Sequence, residues 1–274
     1  MPFFSHDHLN FYFEEEGTGV PFVFSHGLAG SVQDAKELIG SVPGFRLITY
    51  DNRGHGRTCQ PGAIARLNFS TLADDVVALL NRLSIYSAII GGVSMGAGIA
   101  LAFCLKNPQR ARAAILVRPA WLNEPEPPNL AMFPAIATMI QEAGVEQARQ
   151  LFKQSDIYLA WKERYPPAEN AVEGLFSGRS VEAIVATFRA IPHAVPFREI
   201  AELKQVNVPA LVLANRDDPV HPFEYAQALA TALPNAQLKE FPSKADGIDQ
   251  HISGFRLYVN EFLRNVTGPQ QTCA

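Results

Sequence analysis

Short runs that are apolar almost throughout, set between segments of helical period, restrict the fold of this chain more than any other feature. NFYFEEE, PFVFSHG, FRLITYD, SAIIGGVS, RAAILVRP, PALVLANRDD and AQLKEF read as strands. A strand with one wet face alternates apolar and polar residues; several of these do not, as strands covered on both faces need not. DAKELIGSV, TLADDVVALLNRL, GAGIALAFCLKNP and EYAQALATAL, lying between them, read as helices. Such alternation implies an α/β fold, a mostly parallel sheet with helices on both faces. With 47% of its 274 residues hydrophobic, the chain has enough material for a core of that size.

The alternation breaks after Arg118. From Trp121 to about Arg198 the pattern is helical and punctuated by proline in NEPEPPNLAMFP, RYPPAEN and AIPHAVPF, and strand signals resume at VPALVLANRDD. This predicts a core formed by residues 1–120 and 201–274, with residues 121–200 inserted between two strands of one sheet as an all-helical unit. A formal net charge of −4 without a Lys/Arg cluster argues against nucleic acid as a partner. Cys59, Cys104 and Cys273 lie far apart with no CxxC pair, which fits a reducing compartment and neither a disulfide framework nor a zinc site. MPFFSHDHLNFYFEEE lacks the basic start and apolar run of a signal peptide. No apolar run approaches the roughly 20 residues that cross a bilayer. A soluble, cytoplasmic protein without a membrane partner is the expectation.

The segment SAIIGGVSMGAGIALAF contains Gly92-Val93-Ser94-Met95-Gly96, a GxSxG pattern. The pattern alone is weak, but an apolar strand runs straight into it and a helix rich in Ala and Gly runs straight out. That is the context of a nucleophile elbow, in which a strained turn lifts the serine hydroxyl above the sheet. The bland alternative is a serine capping an ordinary helix. At an elbow the Met95 N–H, at the helix N-terminus, would face a developing oxyanion. A second donor is expected from the loop after an earlier strand. In PFVFSHGLAGS, Gly27 lets the backbone approach a substrate and the Leu28 N–H is the candidate donor, while His26 is expected to hold the loop by hydrogen bonds.

FSHGLAGS, YDNRGHGRT and GGVSMGAG, in this order and spacing, resemble the α/β-hydrolase fold family. The resemblance covers Leu9 to Arg118 and Val208 to Leu263, and the helical segment sits where that family carries its cap. The resemblance implies a structural turn at Asp51 to Gly56, with no catalytic role for Arg53 or His55. It also implies a triad acid after the next-to-last core strand. Asn215 of ALVLANRDDPVHP takes the slot of the family glycine, which puts the acid at Asp218, with Asp217 as the alternative. Such a carboxylate orients an imidazole and stabilises the imidazolium formed during reaction. Two turn aspartates before a proline are the reading without chemistry.

The base departs from the family pattern, which has Gly-His about ten residues before a phenylalanine of the final helix. Counting back from Phe255 lands on Ala245, beside Asp246, and neither is a histidine. His251, at the N-terminal edge of the apolar stripe Ile252, Phe255, Val259, Phe262, Leu263 and Val266, is the candidate base. Asp249 as N-cap would place it in the first helical turn. His221, just past Asp218, is its rival. Otherwise His251 only opens a helix.

The resemblance implies a serine hydrolase with Ser94 and Asp218 in its triad; His251 is the candidate to complete it, and the Leu28 and Met95 N–H groups are expected to form the oxyanion hole. No metal or organic cofactor is expected. The expected partner is a small, largely apolar carboxylic ester or lactone, since Trp121, Met132, Phe133 and Trp161 are among the large apolar residues of the helical segment. Arg118 and Arg189 are the cations available for a charged substrate. Carbon–carbon bond hydrolysis fits the same triad. A non-hydrolytic ligand-binding protein on the same fold is the competing class, motivated by the displaced histidine. No helix pattern demands an oligomer.

Overall fold

The computed structural model describes residues 2–267. Eight strands, β1 (Phe3–His6), β2 (Leu9–Glu16), β3 (Val20–Ser25), β4 (Phe45–Tyr50), β5 (Ala88–Val93), β6 (Ala111–Val117), β7 (Ala210–Ala214) and β8 (Ala236–Glu240), form one sheet in the order β1-β2-β4-β3-β5-β6-β7-β8. β1 and β2 pair antiparallel at one edge, and every pairing from β4 to β8 is parallel. β1 has no counterpart among the strands expected from sequence. Four residues give it too little pattern to read, and its place is fixed by the hairpin turn at Asp7 and His8, both with positive φ (49° and 61°) as a type I′ turn requires.

The apolar runs are explained by two cores, one on each face of the sheet. Ile89 and Ile90 of β5 are both about 1% exposed and belong to opposite cores, because successive side chains of a strand alternate in direction. Helices α1 (Val32–Ile39) and α10 (Ile248–Thr267) cover one face through Ala35, Ile39, Phe255, Val259 and Phe262. Helices α2 (Phe69–Arg82), α3 (Met95–Lys106) and α9 (Phe223–Ala232) cover the other.

Five helices lie between β6 and β7: α4 (Met132–Ala143), α5 (Val145–Gln154), α6 (Asp156–Arg164), α7 (Ala168–Phe176) and α8 (Val181–His193). They hold together through their own aromatic contacts. Phe133 of α4 meets Phe188 of α8 edge-on at 5.0 Å, and Phe152 of α5 packs on Phe176 of α7 at 5.9 Å. Among the described residues no helix is long and apolar enough to cross a membrane. Cys59 and Cys104 are free thiols, and Cys273 lies outside the described residues.

Candidate active site

Ser94 stands between the end of β5 and the start of α3 with φ 57° and ψ −113°. A non-glycine residue adopts such a backbone only where its surroundings force it, at a cost of order 1–3 kcal/mol. Two glycines supply that force by letting backbones touch. A Cβ on Gly92 would lie 2.4 Å from the Gly96 carbonyl carbon, and one on Gly96 would lie 2.3 Å from the Ser25 carbonyl oxygen. The turn is thus wedged against the end of β3. The Ser94 N–H donates to Val117 O at 2.9 Å, which fastens the turn to β6 as well.

The loop after β3 lies directly against this serine. A Cβ on Gly27 would come within 3.3 Å of the Ser94 Cβ, a tight contact that would push the loop and the serine apart by a few tenths of an ångström. His26 is fully buried; its Nδ1 hydrogen bonds Gly27 O at 2.8 Å and its Nε2 accepts from the Asn52 N–H at 3.0 Å. His55 Nε2 accepts from the Ala29 N–H at 3.3 Å and its Nδ1 donates to Arg53 O. Burial holds both imidazoles below the ordinary histidine range, so each is neutral and each spends its nitrogens on backbone. Among the described residues the Leu28 and Met95 N–H groups are not spent on another backbone acceptor.

The two aspartates after β7 part company. Asp217 is exposed with φ 61°, whereas Asp218 is 5% exposed and fully engaged. Its Oδ1 accepts from the Val220 N–H at 3.1 Å, and its Oδ2 accepts from His221 Nδ1 at 2.8 Å and from Arg118 Nη1 at 3.4 Å. Burial alone would raise the Asp218 carboxyl, but these donors outweigh it and hold it well below the usual carboxylate range.

The expected hydrogen bond between Asp218 and His251 is absent, and the imidazole on the carboxylate is that of His221. The reason lies in where α10 starts. It begins at Ile248, two residues earlier than an Asp249 N-cap would have it, and the His251 N–H closes its first turn on Gly247 O at 3.0 Å. From there the ring reaches back to β8 instead of across to the loop after β7. Nδ1 hydrogen bonds Pro242 O at 2.8 Å, and the ring packs 4.9 Å from that of Phe241. Burial, with Arg118 next, pushes its pKa down to about 4. His221 is also lowered by burial, with Asp218 opposing. Its Nε2 is buried without a hydrogen-bond partner.

Ser94, Leu28, Asp218, His221 and His251 nonetheless line one cleft of about 480 Å³. Met132, Phe133, Trp161, Tyr165 and Leu175 of the helical segment close it from the other side. Trp121 turns away to pack edge-on against Phe69 at 5.3 Å. Arg118 lies in the cleft and Arg189 does not; the latter lines a separate apolar hollow between α8 and the loop before α2. Lys244, in the single turn Lys244–Asp246 after β8, also lines the cleft, and sequence reasoning missed it. Its place beside Ala245, where the family base was sought, was the available signal.

Residues 20–158 match the family model described as alpha/beta hydrolase fold. A curated relative, the AB hydrolase superfamily protein YisY of Bacillus subtilis, is 26% identical over 250 residues, covering 88% of this chain and 90% of its own. The enol-lactonase of Burkholderia xenovorans LB400 superposes with a TM-score of 0.73 at 22% identity, covering 96% of this chain and 99% of that one. A thermophilic esterase from Thermogutta terrifontis superposes with a TM-score of 0.72 at 22% identity, covering 97% and 98%.

Proposed function

Because this chain belongs to the alpha/beta hydrolase fold family, we propose that it is a serine hydrolase of small carboxylic esters or lactones with Ser94 as the nucleophile. The observation that supports this most is the Ser94 backbone, held at φ 57° by glycine contacts with its side chain in a cleft that also holds two neutral imidazoles. Binding alone needs no strained serine. In the reaction, Oγ attacks the ester carbonyl and gives up its proton to an imidazole. The oxyanion is held by the Leu28 and Met95 N–H groups, and the same imidazole returns the proton to the departing alkoxide. Water then repeats the sequence on the acyl-enzyme and releases the acid.

His221 is the base this geometry favours, with Asp218 as its orienting carboxylate. The Nδ1–H on Asp218 leaves Nε2 as the basic nitrogen, and a buried Nε2 without a partner calls for one. The Ser94 hydroxyl lines the same cleft and makes no side-chain hydrogen bond among the described residues. A second reading keeps His251 as the base, because its Nδ1–H on Pro242 O equally leaves Nε2 basic. Its imidazole makes no hydrogen bond to a carboxylate, so nothing there stabilises the imidazolium as Asp218 does at His221.

The test is labelling by a fluorophosphonate together with hydrolysis of p-nitrophenyl acetate and butyrate, for the native protein and for Ser94→Ala, His221→Ala and His251→Ala. Labelling confined to Ser94, with a loss of roughly 10³-fold or more in Ser94→Ala and His221→Ala, is the expected result. The same loss in His251→Ala alone moves the base to His251. A native protein that neither labels nor turns over sinks the hydrolase reading in favour of a ligand-binding protein.

A further inference from the structure

The carboxyl edge of the sheet places three charged side chains on three neighbouring strand ends: Arg118 after β6, Asp218 after β7 and Lys244 after β8. All three line the cleft that holds Ser94. Two cations flank one carboxylate, and that carboxylate is already occupied by the Val220 N–H and His221 Nδ1. Its contact with Arg118 is a single hydrogen bond of 3.4 Å. A committed Arg–carboxylate pair in the same molecule looks different. Arg53 Nε and Nη2 grip Asp75 in parallel, each at 2.7 Å. Lys244 forms no ion pair among the described residues.

Three further features suit this place to an anion. Arg118 has φ 44°, a left-handed backbone that costs an L-residue roughly 1–2 kcal/mol and is kept where it aims a side chain. The Lys244 residue is exposed overall, but desolvation at its ammonium and then the Arg118 charge hold it below the ordinary lysine value, so the two cations lining the cleft repel each other. The other acidic residues lining the cleft, Asp34 and Glu37, are exposed on α1 and committed locally. Asp34 accepts from Ser31 N–H and Oγ at 2.8 and 2.7 Å, and Glu37 from Gln33 Nε2 at 2.8 Å. Asp34 offsets the Lys244 charge only as a minor contribution, behind burial, Arg118 and Asp218.

Position fixes which part of a substrate the pair would meet. Val93 and Val117 are register partners in the parallel β5–β6 ladder, so Ser94 and Arg118 follow on adjacent strands about 4.8 Å apart. A guanidinium rooted there reaches an anion separated from the reacting carbonyl by only a short acyl chain. We infer that Arg118 and Lys244 form a carboxylate-binding subsite, and that the preferred substrate is a half-ester or lactone whose short acyl chain ends in a free carboxylate. This rests on the serine hydrolase reading and adds a polar end to a cleft otherwise walled by Phe133, Trp161 and Leu175.

The experiment compares monomethyl glutarate with methyl valerate, which differ only in a carboxylate for a methyl at the far end of the acyl chain. Turnover is followed by pH-stat in native protein, Arg118→Met and Lys244→Met. Binding of both esters to Ser94→Ala is measured by calorimetry. The subsite predicts a kcat/KM ratio of about tenfold or more for the charged ester in native protein, as expected of a hydrogen bond between ionised partners. The ratio should fall toward unity in each Met variant, and Ser94→Ala should show the same order in Kd. Lys244 is exposed, so Lys244→Met serves should Arg118→Met fail to fold. Turnover of methyl valerate at an equal or higher rate overturns the subsite while the hydrolase stands. No turnover, with Ser94→Ala still preferring the charged ester, overturns the hydrolase and keeps the subsite. Neither turnover nor binding overturns both.

Discussion

Acidification should expose His251 as a device that destabilises the fold when it takes up a proton. The ring is 1% exposed, donates from Nδ1 to Pro242 O and faces Phe241 at 4.9 Å, so its neutral form is well housed. Its charged form is not, because burial and then the Arg118 charge push its pKa from 6.5 to about 4. The folded protein therefore takes up this proton at lower pH than the unfolded chain. The stability at stake is fully present above about pH 6.5 and is lost as the pH falls toward 4. A gap of about 2.5 pH units corresponds to roughly 3 kcal/mol. His251→Gln keeps a side-chain donor for Pro242 O and cannot take up a proton. Urea unfolding of both proteins from pH 7.5 to pH 4 checks the reasoning. Burial also lowers His26, His55 and His221, so both proteins weaken in acid, and the difference between their curves isolates His251. Native protein should lose about 3 kcal/mol more than the variant across that window. Parallel curves would refute the buried neutral imidazole.

The remaining predictions concern the supports of the site. Gly96→Ala drives a Cβ to 2.3 Å from Ser25 O, a backbone atom with nowhere to move, and should cost about 1–3 kcal/mol by thermal unfolding and abolish fluorophosphonate labelling. Arg53→Met leaves the Asp75 carboxylate, 1% exposed, without its bidentate partner, and should cost about 3–5 kcal/mol in urea unfolding. Adding Asp75→Leu should restore most of that loss. Asp218→Asn keeps the shape of the loop but removes the charge on His221. It should lower kcat for p-nitrophenyl butyrate by roughly 10⁴-fold; an unchanged rate would move the orienting role to the Pro242 carbonyl on His251.

The parallel sheet was legible because its strands are apolar on both faces, and the elbow because Gly92 and Gly96 are local demands of a backbone contact. β1 was not, since four residues carry no period and a turn with two positive φ angles fixes them. The pairing of Arg118 with Asp218 was hidden for a different reason. The two lie far apart in sequence, and nothing local at either residue records that β6 and β7 are neighbours. Lys244 offered a local signal, its place beside Ala245, but its nearness to Arg118 comes from the strand order.

The surroundings of the candidate base are where local pattern says least. The residues after β8, Ser243 to Asp246, form a closed turn: the Ser243 N–H donates to Asp246 Oδ2 at 2.8 Å, and the Ala245 N–H to Ser243 Oγ at 3.2 Å. The Asp246 carboxylate, which stands in the expected base region, is thereby consumed in capping a turn. That turn delivers the chain straight into α10 at Ile248, where the His251 ring is taken by Pro242 O and not by Asp218. A buried Asp218 still needs a donor, since an unpaired carboxylate at 5% exposure is costly. His221 lies one short turn further along the same loop and supplies it. The register of the final helix and the satisfaction of Asp218 thus pull the choice of histidine in opposite directions. In this molecule the carboxylate's demand is met locally, which leaves His251 to the Pro242 carbonyl and gives the cleft two imidazoles, each with Nδ1 fixed and Nε2 unclaimed.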